Sequence, residues 1–294
     1  MKLLLTGATG FSGKEFLKNL EDEKHDFEEI HVVVRDNSLR SFIQKSSLNI
    51  IEHHGDLTDK KFTKKITENI DVILHIAGIQ MSKDLFDSAI ENKVDWIIAV
   101  HTTGRYSKFK VASEEYIAIE DELLKLKNKI NITILRPTMI YGSMRDRNMS
   151  KLIKFLDKSP VYPVFGNGKN LMQPVNGKDL AIAYKQVLDN EDVTKNKEYN
   201  LSGEKPIEYL DLLKIVSRKL GKKTSFVRIP IKFSYYTAKI GKKITSKFPI
   251  QDEQVLRMQE DKDFSHYEAT KDFDFKPRSF EKGIEQQILE YKGE

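Results

Sequence analysis

The sequence predicts an α/β protein, a doubly wound parallel sheet with a smaller C-terminal α/β subdomain for substrate. Three observations carry that expectation. A glycine-rich turn is wedged between an apolar run and a helical pattern at the very start of the chain. Short apolar runs then alternate with helix-length amphipathic stretches. The composition is that of a packed domain, with 294 residues of which 39% are hydrophobic and 32% charged. The longest apolar runs, at 72–77 and 96–100, fall far short of the roughly 20 residues that cross a bilayer. Met1 and Lys2 lead straight into a strand-like run, with no room for a signal peptide, so a cytoplasmic location is expected. The chain has no cysteine, which excludes disulfides, iron–sulfur ligation and a thiolate nucleophile.

The elements follow in order. Leu3, Leu4 and Leu5 form the first strand, and Phe16, Leu17 and Leu20 mark the first helix. Between them stand Gly7, Thr9, Gly10, Phe11, Ser12 and Gly13. Glycines at this spacing let the backbone turn tightly and approach a pyrophosphate, and they aim a helix N-terminus at it. This is a Rossmann-type unit, and these six residues are candidate cofactor ligands. The second strand, 30–34, ends in Arg35 and Asp36. A guanidinium there suits a ribose 2′-phosphate, so NADP is expected, while Asp36 keeps NAD open. Residues 50–51, 71–76 and 96–100 supply further strands. Ala77 and Gly78, small residues at a strand end, leave room for the cofactor ribose and nicotinamide.

Several segments now resemble one superfamily. They are Thr6-Gly-Ala-Thr-Gly-Phe-Ser-Gly13, Gly55-Asp-Leu-Thr-Asp59, Asp71-Val-Ile-Leu-His-Ile-Ala-Gly78, Leu135-Arg-Pro-Thr-Met-Ile-Tyr-Gly142, Lys178-Asp-Leu-Ala181 and Tyr199-Asn-Leu-Ser-Gly203. Together they resemble the short-chain dehydrogenases/reductases, in the extended or atypical branches (epimerase/dehydratase or NmrA-like). The resemblance implies that Asp56 and Leu57 bind cofactor, and that Pro137, Thr138 and Met139 lie against its nicotinamide side. It also implies a catalytic Tyr-x-x-x-Lys, which Tyr106 and Lys110 match, with Glu114 four residues further on. Residues at i and i+4 share a helix face, so the ammonium would sit near the phenol and also orient the cofactor ribose. A free phenol, with a pKa of about 10, needs such a cation to work at neutral pH. The loop that should hold the catalytic hydroxyl is missing, which leaves Thr102 and Thr103 to polarise a substrate carbonyl.

The seven histidines show no metal-ligand spacing, and no metal is expected. His75 reads as a core histidine, and His101 lies at a strand end near the nicotinamide position. In the second half, 166–170 reads as a hairpin turn, Gln173 to Val175 as a short strand, and Asp179 as a helix N-cap. Arg145, Arg147 and Asn148 fall in a polar loop facing the cleft. A helix is expected over 207–220, closed by Gly221. The dinucleotide-binding domain is assigned to 1–150, with elements at about 171–200 returning to it, and the interleaved substrate subdomain to 151–294.

The charge is local. Residues 221–248 hold eight lysines and arginines and no acid, and setting them aside turns the net charge of +5 negative. Three readings stay open for that stretch: a solvated amphipathic helix, an anionic-substrate site, or a membrane or nucleic-acid patch. No nucleic-acid motif accompanies it, and no nucleic-acid partner is expected. The reading is an NAD(P)-dependent oxidoreductase in which Tyr106 is acid/base, acting on a small molecule, anionic or a nucleotide sugar, with a homodimer one assembly open to it. The alternatives are a nucleotide-sugar epimerase or dehydratase with bound NAD, and a non-catalytic NmrA-like redox sensor.

Overall fold

The computed structural model describes residues 1–35, 40–109, 113–231 and 258–293. Lys110 and positions 232–248 of the basic segment lie outside the described residues, as does Asp36. The first half runs β1 (Lys2–Thr6), α1 (Phe11–Asp22), β2 (Glu29–Val34), α2 (Ser41–Gln44), β3 (Ile50–His54), α3 (Lys60–Ile66), β4 (Val72–His75), α4 (Ser82–Glu91), β5 (Trp96–Val100), α5 (Glu114–Leu124) and β6 (Asn131–Pro137). There follow β7 (Ile140–Tyr141), α6 (Met149–Lys158), β8 (Val161–Phe165), β9 (Leu171–Met172), β10 (Val175–Asn176), α7 (Gly177–Asp189), α8 (Glu191–Thr194), β11 (Glu198–Leu201), β12 (Ile207–Glu208), α9 (Tyr209–Lys219) and β13 (Ser225–Ile229). Two helices, Tyr267–Phe273 and Phe280–Lys292, complete the chain.

Seven strands form one sheet in the order β3-β2-β1-β4-β5-β6-β11. Every pairing in it is parallel. The apolar runs are continuous because both faces of such a sheet are covered. Leu3 and Leu5 pack on one face with Phe16, Leu20, Tyr184 and Val187 of α1 and α7. Leu4 packs on the other with Ile66, Leu85, Phe86 and Leu123 of α3, α4 and α5. Each fully buried Leu or Phe contributes roughly 1.5–3 kcal/mol of transfer free energy. The architecture is therefore the Rossmann-type doubly wound sheet that the sequence predicts. Smaller elements form a second cluster, where α6, α9 and the last helix bury Ile153, Leu156, Val216, Ile284 and Ile288.

Strand order reverses between β1 and β4, and a crevice opens beyond the C-terminal ends of those strands. Gly7 occupies that point with φ +78°, a conformation that favours glycine. A Cβ on Gly13 would lie 2.3 Å from the Gly7 carbonyl oxygen, so α1 can start this close to β1 only with glycine there. Gly177 serves the same packing from the far side, since its missing Cβ leaves space for the Phe11 ring.

Three local expectations need correction. The N-cap of α7 is Asn176, whose side chain accepts from Lys178 N, while Asp179 sits in the first turn and binds Arg278. The 166–170 stretch turns, with φ of +82° at Gly166 and +70° at Gly168, but makes no hairpin: β8 pairs with β13 and β9 with β12. The helix expected from residue 207 begins at Tyr209, because Ile207 and Glu208 pair with β9 instead. Among the described residues no helix is long and apolar enough to cross a membrane.

Candidate active site

A cleft of about 950 Å³ opens at the switch point. From the turn before α1 come Thr9, Gly10, Phe11 and Ser12; from the segment after β5 come Thr102, Thr103 and Tyr106; from the end of β6 come Thr138 and Met139. Nine residues singled out by sequence thus meet in one space. Gly10 caps α1 with no side-chain hydrogen bond, and the first turn carries no acid, so the helix N-terminus presents unoccupied positive character. Arg145, Arg147 and Asn148 line the cleft as expected.

The remaining cofactor candidates do not line this volume. Gly7, Gly13 and Pro137 act through the backbone, and the Pro137 carbonyl accepts from Thr103 Oγ1 at 3.3 Å. Arg35 is exposed at the end of β2, and its charge helps hold the Asp56 carboxyl low, after the hydrogen bonds from Thr58 N and Oγ1. Leu57 has its side chain in the core. Ala77 donates from its N–H to Thr6 Oγ1 at 3.3 Å, and Gly78 precedes a short 3₁₀ turn. Apart from Gly13, which lies in the first turn of α1, these positions lie at or just past the C-terminal ends of β1, β2, β3, β4 and β6, on one edge of the sheet.

Tyr106 stands at the end of a 3₁₀ turn, Thr103–Tyr106, which follows β5 almost at once. Ser107 is extended, with φ −62° and ψ 137°, and α5 begins only at Glu114. The chain is therefore not helical from Ser107 to Phe109, and Lys110, the other half of the Tyr-x-x-x-Lys spacing, lies outside the described residues. The Tyr106 side chain is 44% exposed, open to a substrate in the cleft. Its phenol oxygen accepts from Arg136 Nη1 at 3.1 Å and donates to Asn200 Oδ1 at 3.3 Å. The ring lies against Phe264, with centroids 5.4 Å apart.

The two hydroxyls differ. Thr102 Oγ1 accepts from Gly104 N at 3.0 Å and keeps its proton to donate, whereas Thr103 donates its proton to Pro137. Only Thr102 is left with a donor for a bound oxygen.

Beneath Tyr106 lies a buried charge cluster. Glu120, 1% exposed, accepts from Arg136 Nε at 2.9 Å and Nη2 at 2.6 Å, from His101 Nδ1 at 2.9 Å, and from Arg105 Nη1. Arg136 Nη2 also reaches Glu198, which binds Lys127 at 2.9 Å. Burial alone would push the Glu120 carboxyl up; the hydrogen bonds from His101 and Arg136, with their charge, outweigh it and hold the carboxyl at about 2. His101 is spent on Glu120 and on Ser82 Oγ, and does not reach the cleft. His75 is the core histidine expected, bonded to Thr6 Oγ1 at 2.7 Å. Burial, then the charge of His101, lowers it to about 3.

Sequence reasoning did not single out Glu120, Glu198, Asn200 or the strap at 259–264. The strap ties the lobes together: Glu260 accepts from Ser107 Oγ and Lys108 N, both at 2.7 Å, Lys262 N donates to Leu171 O, and Phe264 N donates to Gln173 Oε1. Glu120 alone left a signal, an acid three residues before Leu123 on the buried face of α5. Glu114, which the spacing favoured, is exposed in the first turn. Among the described residues no cluster of three ligating side chains is placed to hold a metal.

A second lobe of about 440 Å³ adjoins the cleft, and Met139, Arg147, Asn148 and Met172 border both. Phe155, Tyr162, Phe165 and Tyr209 give it aromatic walls, and Arg147 and Lys151 also line it.

Fold and site together define a switch-point α/β protein with a tyrosine at the mouth of its crevice. The model of the 3-beta hydroxysteroid dehydrogenase/isomerase family matches residues 4–96 and 94–231, and the chain belongs to that family, among the extended short-chain dehydrogenases/reductases. It is 26% identical over 243 residues to the chloroplast stem-loop binding protein of 41 kDa b of Arabidopsis thaliana, covering 75% of this chain and 63% of that protein. The chain thus spans less than two thirds of that relative's length. The structure of UDP-glucuronic acid 4-epimerase from Bacillus cereus, in complex with UDP-glucuronic acid and NAD, superposes with a TM-score of 0.73 at 21% identity, covering 100% and 99% of the two chains. The dTDP-glucose 4,6-dehydratase DesIV from Streptomyces venezuelae, with NAD bound, gives 0.74 at 15% identity, covering 99% and 97%.

Proposed function

We propose that the chain is an NAD(P)-dependent oxidoreductase of the extended short-chain type, in which Tyr106 passes a proton to or from a substrate carbonyl or alcohol. The observation that carries this reading is one cleft lined both by the bare N-terminus of α1 and by an accessible, hydrogen-bonded phenol. The residues fit a dinucleotide. Gly7 at positive φ and the missing Cβ of Gly13 bring the turn close to the helix start, where no side chain caps the helix and the first turn carries no acid. Arg35 at the end of β2 supports a preference for a 2′-phosphate, hence NADP. When bound, the nicotinamide supplies or takes up the hydride.

The chain's own residues supply the rest. Thr102 donates a hydrogen bond to the substrate oxygen, keeping its proton, and so polarises the carbonyl. In reduction, the Tyr106 O–H bond breaks as a new O–H bond forms on that oxygen, and the phenolate left behind is returned to the phenol by solvent. Lys110, at the family's lysine position, orients the cofactor ribose. The substrate is a small molecule whose planar or apolar part fills the aromatic lobe and whose anionic part meets Arg147 and Lys151 in its lining.

The second reading, a nucleotide-sugar epimerase or dehydratase, draws support from that lobe and from the nucleotide sugar carried by the Bacillus cereus enzyme. A panel of carbonyl compounds and nucleotide sugars, incubated with NADPH or NADH and followed by nicotinamide absorbance, separates the two. Net consumption of NADPH by a carbonyl compound supports the oxidoreductase. Conversion of a nucleotide sugar with no net change in cofactor supports the epimerase. Tight dinucleotide binding with no turnover of any compound would contradict both and favour a non-catalytic sensor.

A further inference from the structure

We propose that Arg136 is the positioning residue for Tyr106: it fixes the phenol oxygen in the cleft and stabilises the negative charge left there when the proton departs. This rests on the reading of Tyr106 as acid/base, and it adds a cation from the sheet to the lysine expected from the Tyr-x-x-x-Lys spacing.

The register of the sheet places the pair. Arg136 on β6 lies opposite Asn200 on β11, and both side chains reach the Tyr106 phenol oxygen, Arg136 Nη1 as donor at 3.1 Å and Asn200 Oδ1 as acceptor at 3.3 Å. The guanidinium carbon stands 5.7 Å from the Tyr106 ring centroid, so the contact extends over the ring face. Arg136 is only 5% exposed, and its orientation is set from behind. Nε and Nη2 are bound by Glu120, and Nη2 also by Glu198, which leaves Nη1 turned to the phenol. Glu120 is itself held by His101 and Arg105. Hydrogen bonds and charge from Glu120 and Glu198 outweigh burial and keep Arg136 charged, and Tyr106 adds to the same effect.

Among the described residues, the charged groups bonded around this contact include Asp121 on Arg105, Lys127 on Glu198, and Glu260, which binds Ser107 and Lys108. Within the cluster, two carboxylates already face the arginine from the side away from the cleft. A phenolate at Tyr106 completes its donors on the cleft side. An ammonium in the same place has no planar fork, so it cannot serve the two carboxylates and the phenol together.

The test uses the full-length protein with the substrate found by the cofactor screen, and reads kcat, KM and dinucleotide affinity separately. Two variants are compared with wild type, each first checked for a cooperative melt: Arg136→Lys, and Arg136→Gln paired with Glu120→Gln so that the two opposite charges are removed together. In both, kcat is expected to fall at least tenfold with KM and dinucleotide affinity little changed. An unchanged kcat in two folded variants, or a fall in kcat matched by an equal loss of dinucleotide affinity, would overturn the proposal. Full turnover by Tyr106→Phe would instead overturn the acid/base reading beneath it, a separate outcome read from a separate variant.

Discussion

In the proposed reaction Tyr106 is assigned proton transfer, Thr102 polarisation and Glu120 support. Tyr106→Phe keeps the ring on Phe264 and loses only the hydroxyl, so the fold is expected to hold while kcat drops roughly 10²–10⁴-fold, the usual share of a positioned acid/base. Thr102→Val is expected to reduce kcat further than Thr103→Val, because the Thr103 proton is already committed to Pro137; steady-state kinetics of the two variants checks this. Glu120→Gln leaves Arg136 buried without its main counter-charge, and denaturant unfolding should show a loss of about 3–5 kcal/mol. The glycine turn was legible in the sequence because its spacing between a strand and a helix places it at the switch point, where the cleft also brings Tyr106. Asn200 and Glu198 were not, because they act through strand pairing across more than sixty residues of chain, and no local pattern carries that register.

At the scale of elements, α1 and β1 depend on one missing methyl. Gly13→Ala drives a Cβ to 2.3 Å from the Gly7 carbonyl oxygen, and either the turn or the helix start must move. Dinucleotide affinity, measured by calorimetry, is expected to fall tenfold or more, with a loss of stability of about 1–3 kcal/mol typical of overpacking. β4 carries a pH dependence through His75. The folded state keeps this imidazole neutral down to about 3, while the unfolded chain takes up a proton near 6.5. Below about 6.5 the unfolded state therefore binds the extra proton, and stability falls with pH by up to about 1.4 kcal/mol per unit until the folded pKa is reached. Glu120 adds to this between its unfolded value of 4.5 and its folded value of about 2, again losing stability as pH falls. Denaturation midpoints measured from pH 7 to 4 should fall less steeply for His75→Leu than for wild type. Strands were the elements best read from sequence, since Leu3 to Leu5 and Trp96 to Val100 are apolar on both faces. The stretch after Tyr106 was not legible in the same way, because an i, i+4 spacing permits a helix without specifying one, and Ser107 takes an extended conformation here.

For the whole molecule, the cleft is assembled from chain far apart in sequence. α7 packs on α1, β11 closes the sheet beside β6, and the strap at 259–264 bonds back to Ser107 and Leu171. Any ligand in the cleft touches several of these parts at once, so dinucleotide binding should raise the melting temperature of the entire fold; at a hundredfold excess over its dissociation constant the gain is about 2.7 kcal/mol. NADPH is expected to shift the melt more than NADH, and Arg35→Asp to reverse the order; a larger shift with NADH in wild type would overturn the role given to Arg35. The central claim is narrower than cofactor choice: a dinucleotide at α1 and a proton at Tyr106 act on one substrate. Its most direct test is single-turnover hydride transfer in wild type and Tyr106→Phe, with cofactor affinity measured on the same samples. The account expects equal affinity and a rate at least a hundredfold lower in the variant; equal rates at equal affinity would contradict it.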